Sequence, residues 1–318
     1  MPDVFANITK VPSEMLDVIA NVLETRAAIP SQQDMISSYL GEIELPENSR
    51  VLEVGCGTGP ICRALAAIQN VKEVIGIDPS EHLLSKAKEL SGSLDGISYQ
   101  EGDGKKLDFE DNSFDVVILH TTLTHVPGPE DILSEAYRVL KPGGWLGVCD
   151  GDFDTATLRL SSSDPLQACC ESFVENFVND RYLVRKMSAL VQQAGFEVQP
   201  LKSYGLVETL SPGLTMSWID RGADALVQNG TISSELGEAL KKEGRQRAVQ
   251  GGFLATWHMP ALLLRPQCSN HNVGQPPHNK QMQSDAAKAA PLMRGVRRPT
   301  QKAHKNQNHL RPGETNDD

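Results

Sequence analysis

A turn of alternating glycines between a strand and a helix constrains the fold of this chain more than any other feature. Residues 51–60 read VLEVGCGTGP, an apolar run that passes into Gly55, Gly57 and Gly59 and then into a proline. Glycine permits positive φ and has no Cβ, so a ligand can lie against the backbone of such a turn. Pro60 suits the first helical position, where its missing N–H is not needed. The segment therefore predicts a ligand-binding turn that joins a buried strand to a helix.

Strand and helix signals alternate around this turn. Residues 114–120 are continuously apolar at their centre, as expected for a strand that is buried on both faces. Predicted strands cover 50–55, 74–78, 97–102, 114–120 and 145–150, and predicted helices cover 60–69, 81–90 and 129–140. This alternation predicts an α/β fold, with a doubly wound parallel sheet and helices on both faces.

The flanking segments are predicted to be helical or disordered. Residues 1–45 carry apolar side chains at helical spacing and are predicted to form a helical cap. Residues 46–265 form the main domain, with helical inserts at about 152–195 and 212–250 and further strands over 196–210 and 253–264. Residues 266–318 are rich in Gln, Asn, Pro and Lys, lack aromatic residues and carry eight Lys and Arg against four Asp and Glu. We expect a disordered tail, with a weak polyanion-binding arm as the alternative.

The net charge and the composition limit the classes of partner and the cellular location that we expect for this protein. The 318 residues have a formal net charge of -11, which argues against binding to nucleic acid or to anionic membrane surfaces. No run of 18 apolar residues is present, so a membrane-spanning helix is not expected. Six cysteines without framework spacing, and an N-terminal segment without the pattern of a secretory signal, predict a cytoplasmic protein.

Acidic residues follow the next two predicted strands. The glycine spacing is GxGxG, whereas the dinucleotide-binding fingerprint is GxGxxG, and Pro60 occupies the place of its third glycine. Asp78 ends a strand about 20 residues after the turn, where a carboxylate can accept hydrogen bonds from ribose hydroxyls. The Asp103 carboxylate could accept a hydrogen bond from an adenine amino group, and the Gly104 N–H could donate one to a ring nitrogen. The alternatives are a helix N-cap at Asp78 and a plain tight turn at 101–104.

Taken with GIDPS at 76–80, NSFDVV at 112–117, THVPGPEDIL at 124–133 and RVLKPGG at 138–144, these motifs resemble the class I S-adenosylmethionine-dependent methyltransferases. The resemblance is strongest to the ubiquinone/menaquinone-biosynthesis-like (methyltransferase type 11) branch and covers roughly residues 23–265. It implies a Rossmann-like sheet of seven strands with a reversed last strand. Pro260 departs from the family pattern, because proline removes a ladder donor from an internal strand, and it predicts a bulge or a strand that begins after it.

The resemblance also implies the cofactor and its binding residues. S-adenosyl-L-methionine would donate a methyl group to a small-molecule acceptor by in-line displacement. The implied cofactor-binding residues are Gly55, Gly57 and Gly59 at the methionine and ribose, Glu53 at the amino group, Asp78 at the ribose, Asp103 and Gly104 at the adenine and His120 at the sulfonium end. Arg26, on the predicted N-terminal cap, is a candidate for the carboxylate, and a solvated arginine on the helix surface is the alternative.

Two residues are candidates for catalysis, and no metal site is predicted. His125 follows the fourth strand and could be a general base or could anchor its loop. Asp150 follows the fifth strand and could contact the acceptor or cap the next helix. Two other functions stay open: a nicotinamide-dependent oxidoreductase, and a protein that binds S-adenosylmethionine without turnover.

Overall fold

The computed structural model describes residues 3–209 and 213–267. Its helices are α1 (Ser13–Ala27), α2 (Pro30–Leu40), α3 (Pro60–Ala66), α4 (Glu81–Ser91), α5 (Pro129–Val139), α6 (Leu166–Phe177), α7 (Leu183–Gln193), α8 (Leu214–Gln228) and α9 (Ser234–Gln250). Its strands are β1 (Ser49–Val54), β2 (Val71–Asp78), β3 (Ile97–Glu101), β4 (Phe114–His120), β5 (Leu140–Cys149), β6 (Asp152–Thr157), β7 (Lys202–Glu208) and β8 (Ala255–Leu264). Short 3₁₀ helices cover Phe5–Lys10 and Leu123–His125.

One mixed sheet organises residues 3–267. The strand order is β3-β2-β1-β4-β5-β8, and β8 also pairs with β6 and β7. The pairs among the first five strands are parallel, whereas all three pairs made by β8 are antiparallel. The predicted Rossmann-like sheet with a reversed last strand is therefore confirmed. The short strand β6 is an addition to the seven predicted strands.

Side chains on β1 and β4 alternate between two hydrophobic cores, one on each face of the sheet. Val51 and Val116 pack with apolar residues of α2, α3 and α4, whereas Leu52 and Val117 pack with those of α5 and α7. Successive residues of a strand point to opposite faces, so an uninterrupted apolar run is needed to fill both cores. This two-sided burial is the doubly wound arrangement that the alternating pattern predicts.

Pro260 lies inside β8, and the expected bulge or late start of the strand is wrong. Strand β8 begins at Ala255, and Pro260 pairs with Ser203 of β7. On the other side, the Asp150 N–H donates to the Pro260 carbonyl at 3.1 Å, but proline has no N–H to give in return. Strand β5 ends just before Asp150, and pairing resumes at Asp152 opposite His258. The pairing is therefore interrupted between the end of β5 and the start of β6, whereas β8 itself continues through Pro260.

Two other boundaries differ from the sequence prediction. The strand expected over 196–210 begins only at Lys202, and residues 152–157 form β6 where a helical insert was expected. Both segments are largely polar or interrupted, and both gain strand structure by pairing with β8, which is distant in the sequence. Most of the predicted tail lies outside the described residues. Pro266 still pairs with Phe196, and the Gln267 N–H donates to the Gly195 carbonyl at 2.9 Å.

The N-terminal helices lie on the sheet domain close to the glycine turn. Ile8, Leu16 and Ile19 form a small core with Leu83 of α4, which fixes α1 on the main domain. A Cβ added at Gly57 would meet Leu23 of α1 at 3.0 Å, so α1 passes directly over the turn. None of the helices in the described ranges has the length and apolar character needed to cross a bilayer.

Candidate functional site

A cavity of about 970 Å³ opens at the carboxyl ends of β1, β2 and β4. This edge is where open α/β sheets bind ligands. The volume lies at the upper end of the 300 to 1,000 Å³ that is usual for small-molecule sites, roughly enough for two ligands side by side. Helix α1, the segment 3–12 and helix α8 supply the opposite wall.

The glycine turn is held in shape by its own backbone. Gly55 and Gly57 have φ of 77° and 52°, in the left-handed region that favours glycine. The N–H groups of Gly55 and Cys56 donate to the Ile77 carbonyl at 2.7 and 2.9 Å. A Cβ at Gly55 would stand 2.7 Å from the Thr122 side chain. The turn therefore depends on glycine for both its conformation and its packing.

Gly59 stands apart from the other two glycines. It caps the N-terminus of α3 with a φ of 75°, and a Cβ there would lie 2.2 Å from the Tyr99 hydroxyl oxygen. The residues that line the cavity include Gly55 and Gly57 but not Gly59. The Tyr99 side chain leaves no room for a Cβ at Gly59, so packing alone is enough to require glycine there.

Asp78 connects the turn to the second strand. Its Oδ2 accepts from the Gly57 N–H at 2.9 Å and its Oδ1 from the Ser80 N–H at 2.9 Å. Ser80, rather than Asp78, caps α4, because its hydroxyl accepts from the Leu83 N–H. Burial raises the pKa of Asp78. A carboxylate has about four lone-pair positions, so Asp78 keeps capacity for ligand hydroxyls on the cavity side.

Glu53 is the most deeply buried acid on the cavity wall, with 2% of its surface exposed. The Cys62 thiol donates to its Oε2 at 2.8 Å. Burial raises the pKa of Glu53 to about 8, and the nearby Asp78 acts in the same direction. A cation beside Glu53 would reverse this effect, since an opposite charge favours the ionised form.

Asp103 and Gly104 also line the cavity. The Asp103 side chain is exposed, and its Oδ1 accepts from the Lys105 N–H at 2.9 Å, which is the tight-turn geometry that was the alternative interpretation. Gly104 is buried, and a Cβ there would lie 2.5 Å from Val54 Cγ1. The turn brings the Asp103 carboxyl group to the rim of the cavity.

Arg26 and His120 lie between the glycine turn and the end of β4. Arg26 reaches down from α1 and donates from Nη2 to Thr121 Oγ1 at 3.0 Å. Burial lowers the pKa of Arg26, partly offset by the charges of Asp150 and Glu53. His120 Nδ1 lies 2.9 Å from the Tyr39 hydroxyl, and burial lowers the pKa of His120 to about 3, so the ring is neutral at physiological pH. Both side chains line the cavity.

His125 forms a pair with an acid that sequence reasoning missed. Its Nδ1 lies 2.6 Å from Oδ2 of Asp3, a buried residue of the N-terminal segment. Asp3 is fixed in turn by the N–H groups of Phe5 and Asn179, each at 2.9 Å. Asp3 is 122 residues away in the chain and belongs to no motif, so only the fold brings the pair together.

Asp150 is placed differently from the other predicted residues. Its carboxylate accepts from the Thr124 N–H at 3.1 Å, the Thr124 hydroxyl at 2.5 Å and the Gly151 N–H at 3.0 Å. It is 1% exposed and is not among the residues that line the cavity. These bonds fix the loop that carries His125, so the geometry supports a positioning role more than contact with an acceptor.

Aromatic side chains and one arginine complete the cavity wall, and sequence reasoning missed all of them. The aromatic wall consists of Phe5, Phe153, Phe173, Phe177, Trp218 and Trp257. Arg221 of α8 lies among them, with its guanidinium carbon 4.0 Å from the centre of the Phe177 ring. These residues come from five separate segments without a shared motif. Their helical spacing within α6 and α8 signals burial only.

Comparison with known proteins agrees with the geometry. Residues 52–148 match the methyltransferase domain family. A demethylmenaquinone methyltransferase of Staphylococcus aureus is 45% identical over 101 residues, which are 31% of this chain and 42% of that protein. An uncharacterized 37.1 kDa transposon protein of Streptomyces fradiae is 29% identical over 177 residues, which are 55% and 51% of the two chains. The chain thus spans about half, or less, of the length of these curated relatives.

Solved structures show the same fold at low identity. The YcgJ protein of Bacillus subtilis aligns with a TM-score of 0.53 at 19% identity, over 74% of this chain and 98% of that one. The [4+2]-cyclase SpnF aligns with a TM-score of 0.53 at 20% identity, over 84% and 98%.

A doubly wound sheet with one reversed strand, a glycine turn and acids at the ends of β1 and β2 defines the class I methyltransferase fold. Residues 52–148 are the part of the chain that matches its methyltransferase domain. The resemblance drawn from the sequence motifs is confirmed.

Proposed function

We propose that the protein transfers a methyl group from S-adenosyl-L-methionine to a small-molecule acceptor. The observation that carries this proposal is the hydrogen bonding of the glycine turn. The Gly57 N–H is held by the Asp78 carboxylate, and the N–H groups of Gly55, Cys56 and Gly59 donate to backbone carbonyls. A turn that binds pyrophosphate needs such N–H groups free. Here the turn presents a carboxylate instead, which favours a cationic nucleoside over a nicotinamide dinucleotide.

The charges on the cavity wall fit this cofactor. Buried Glu53 suits its ammonium group, and Asp78 suits ribose hydroxyls. Arg26 suits the carboxylate, because its guanidinium forms no ion pair with an acid of the described residues. Asp103 and Gly104 are assigned to the adenine edge and His120 to the sulfonium end. When bound, the cofactor supplies an electrophilic methyl group on a cationic sulfur.

The protein's own contribution is alignment and a base. Holding the acceptor in line with the methyl group can contribute roughly 7–11 kcal/mol to lowering the barrier. When His125 Nδ1–H donates a hydrogen bond to the Asp3 carboxylate, Nε2 is unprotonated and can accept a proton from a substrate hydroxyl. Asp150 holds the loop through Thr124. We assign His125 as the general base and Asp3 and Asp150 as positioning residues.

A calorimetric comparison tests the proposal. S-adenosylhomocysteine should bind the intact protein, and NAD⁺ should not. Tight NAD⁺ binding without nucleoside binding would overturn the proposal in favour of an oxidoreductase. If the nucleoside binds but no phenol, quinol, amine or sterol converts S-adenosylmethionine to S-adenosylhomocysteine, the function is cofactor binding without turnover.

His125 has its own test, because a base and a loop anchor respond differently. His125→Asn should lower turnover about 10²- to 10⁴-fold, the usual contribution of a general base, while S-adenosylhomocysteine affinity stays the same. Asp3→Asn should lower turnover less and shift the pH profile. Equal loss of nucleoside affinity and turnover would identify His125 as an anchor.

The net charge and the free cysteines bear on the class of acceptor and on the location of the protein. The net charge of -11 supports a small-molecule acceptor rather than nucleic acid. The five cysteines of the described residues are free thiols, which supports a reducing compartment and therefore the cytoplasm as the location.

A further inference from the structure

Arg221 of α8 carries a charge that forms no ion pair within residues 3–209 and 213–267. It is half-buried on the cavity wall, and it forms neither an ion pair nor a hydrogen bond with any residue in the described ranges. Its guanidinium carbon lies 4.0 Å from the Phe177 ring centre and 5.1 Å from that of Phe173. Burial lowers the pKa of Arg221, and the charge of Asp3 partly offsets this effect.

The nearby acids Asp220 and Asp3 each pair with another side chain of the described residues. Asp220 is paired with Arg245 of α9 at 2.8 Å. Asp3 accepts from His125 and from two backbone N–H groups. A partly desolvated charge without a partner costs stability, so an unpaired arginine facing a ligand cavity indicates an anionic ligand.

The cofactor does not account for this charge. S-adenosylmethionine carries one carboxylate, and Arg26 is placed for it beside the end of β4. Arg221 instead lies among the aromatic rings that α6 and α8 contribute, and α1 packs against both α8 and α4. Arginine binds carboxylates through two parallel hydrogen bonds, which makes it the usual residue for this task.

Ring contacts connect Arg221 to the base. Phe173 stacks on Trp218 with centroids 5.3 Å apart, and Trp218 lies 6.0 Å from Phe153. Phe153 in turn lies 6.4 Å from His125. The wall thus carries a cation and a proton acceptor that are connected through flat apolar rings.

We propose that the methyl acceptor is a hydroxylated aryl carboxylate, with its carboxylate on Arg221 and its hydroxyl at His125. This inference rests on the proposed function. The acceptor's hydroxyl oxygen forms the new O–C bond as the C–S bond breaks. The bonding pair stays on sulfur as a neutral thioether, and the hydroxyl proton passes to Nε2 of His125.

Matched ligand pairs test the carboxylate contact. Binding of 6-hydroxy-2-naphthoate and of its neutral amide is measured by calorimetry on the full chain saturated with S-adenosylhomocysteine, and 3-(4-hydroxyphenyl)propanoate and its amide form a second pair. We expect each acid to bind at least about tenfold more tightly than its amide, in line with hydrogen bonds between charged partners. Arg221→Met should abolish this preference, and Arg221→Lys should keep part of it.

The controls separate this inference from the proposed function. Arg221→Met should melt normally and bind S-adenosylhomocysteine as the wild type does, whereas Arg26→Met should lose nucleoside affinity. An acid preference that persists in Arg221→Met, or wild-type protein that binds neither acid at millimolar concentration, overturns the inference alone. Wild-type protein that does not bind S-adenosylhomocysteine overturns the proposed function.

Discussion

Binding of S-adenosylhomocysteine should release a proton from Glu53. Burial raises the pKa of this carboxyl to about 8 in the free protein. At pH 7 about nine-tenths of the Glu53 side chains are then protonated. An ammonium group beside Glu53 stabilises its ionised form, so the complex loses the proton. We expect about 0.9 proton per bound nucleoside from this residue at pH 7 and about half a proton at pH 8.

Isothermal titration calorimetry in buffers of different ionisation enthalpy measures this number. The observed enthalpy changes linearly with the buffer's ionisation enthalpy, and the slope is the number of protons exchanged. Glu53→Gln is the matched control, because it keeps the shape of the side chain and cannot ionise. Wild-type affinity should increase about ninefold from pH 6 to pH 7, and the variant should respond much less. Equal slopes for the two proteins would refute the argument.

The remaining predictions concern the turn, stability and the tail. Gly57→Val and Asp78→Ala should each weaken nucleoside affinity at least about tenfold, because hydrogen bonds to a charged group are worth about 1.5–3 kcal/mol. Gly143→Val is the control, because it introduces similar backbone strain in β5 and should leave the affinity unchanged. Calorimetry that finds no loss of affinity in either turn variant contradicts the assigned site. The free energy of unfolding should fall as pH rises from 4.5 to about 8, because Glu53 holds its proton more tightly in the folded protein than in the unfolded chain. Urea titrations measure this free energy at each pH. An equal change with pH in the wild type and in Glu53→Gln would contradict the prediction. A chain that ends at residue 267, and so keeps the pairing of Pro266 with Phe196, should keep its melting temperature and nucleoside affinity. A large drop in melting temperature would show that the removed residues dock.

The sheet and the glycine turn could be predicted because their signals are local. The apolar run of β4 fills two cores, and the φ values at Gly55 and Gly57 require glycine. β6 could not be predicted in this way, because its polar sequence becomes a strand only by pairing with β8. The prediction at Pro260 failed for a similar reason. The sequence shows that Pro260 has no N–H to donate, but it does not show which neighbouring strand loses its regular pairing there.

The cofactor half of the cavity was easier to predict than the acceptor half. Glu53 and Asp78 occur at fixed distances from the glycine turn, so a motif identifies them. Asp3 and Arg221 have no such relation to any motif, and only tertiary packing brings them to the same wall. At Gly59 the close approach of Tyr99 by itself requires glycine, and the motif does not reveal this contact.

The aromatic wall gives the protein an internal optical reporter. Two of the three tryptophans in the chain, Trp218 and Trp257, line the cavity and lie 5.3 Å apart. An acceptor that displaces water from these indoles changes the polarity around two of the three tryptophans in the chain. Emission colour and intensity should therefore follow occupancy of the acceptor half without any added dye, and screening of candidate acceptors can begin before turnover is detected.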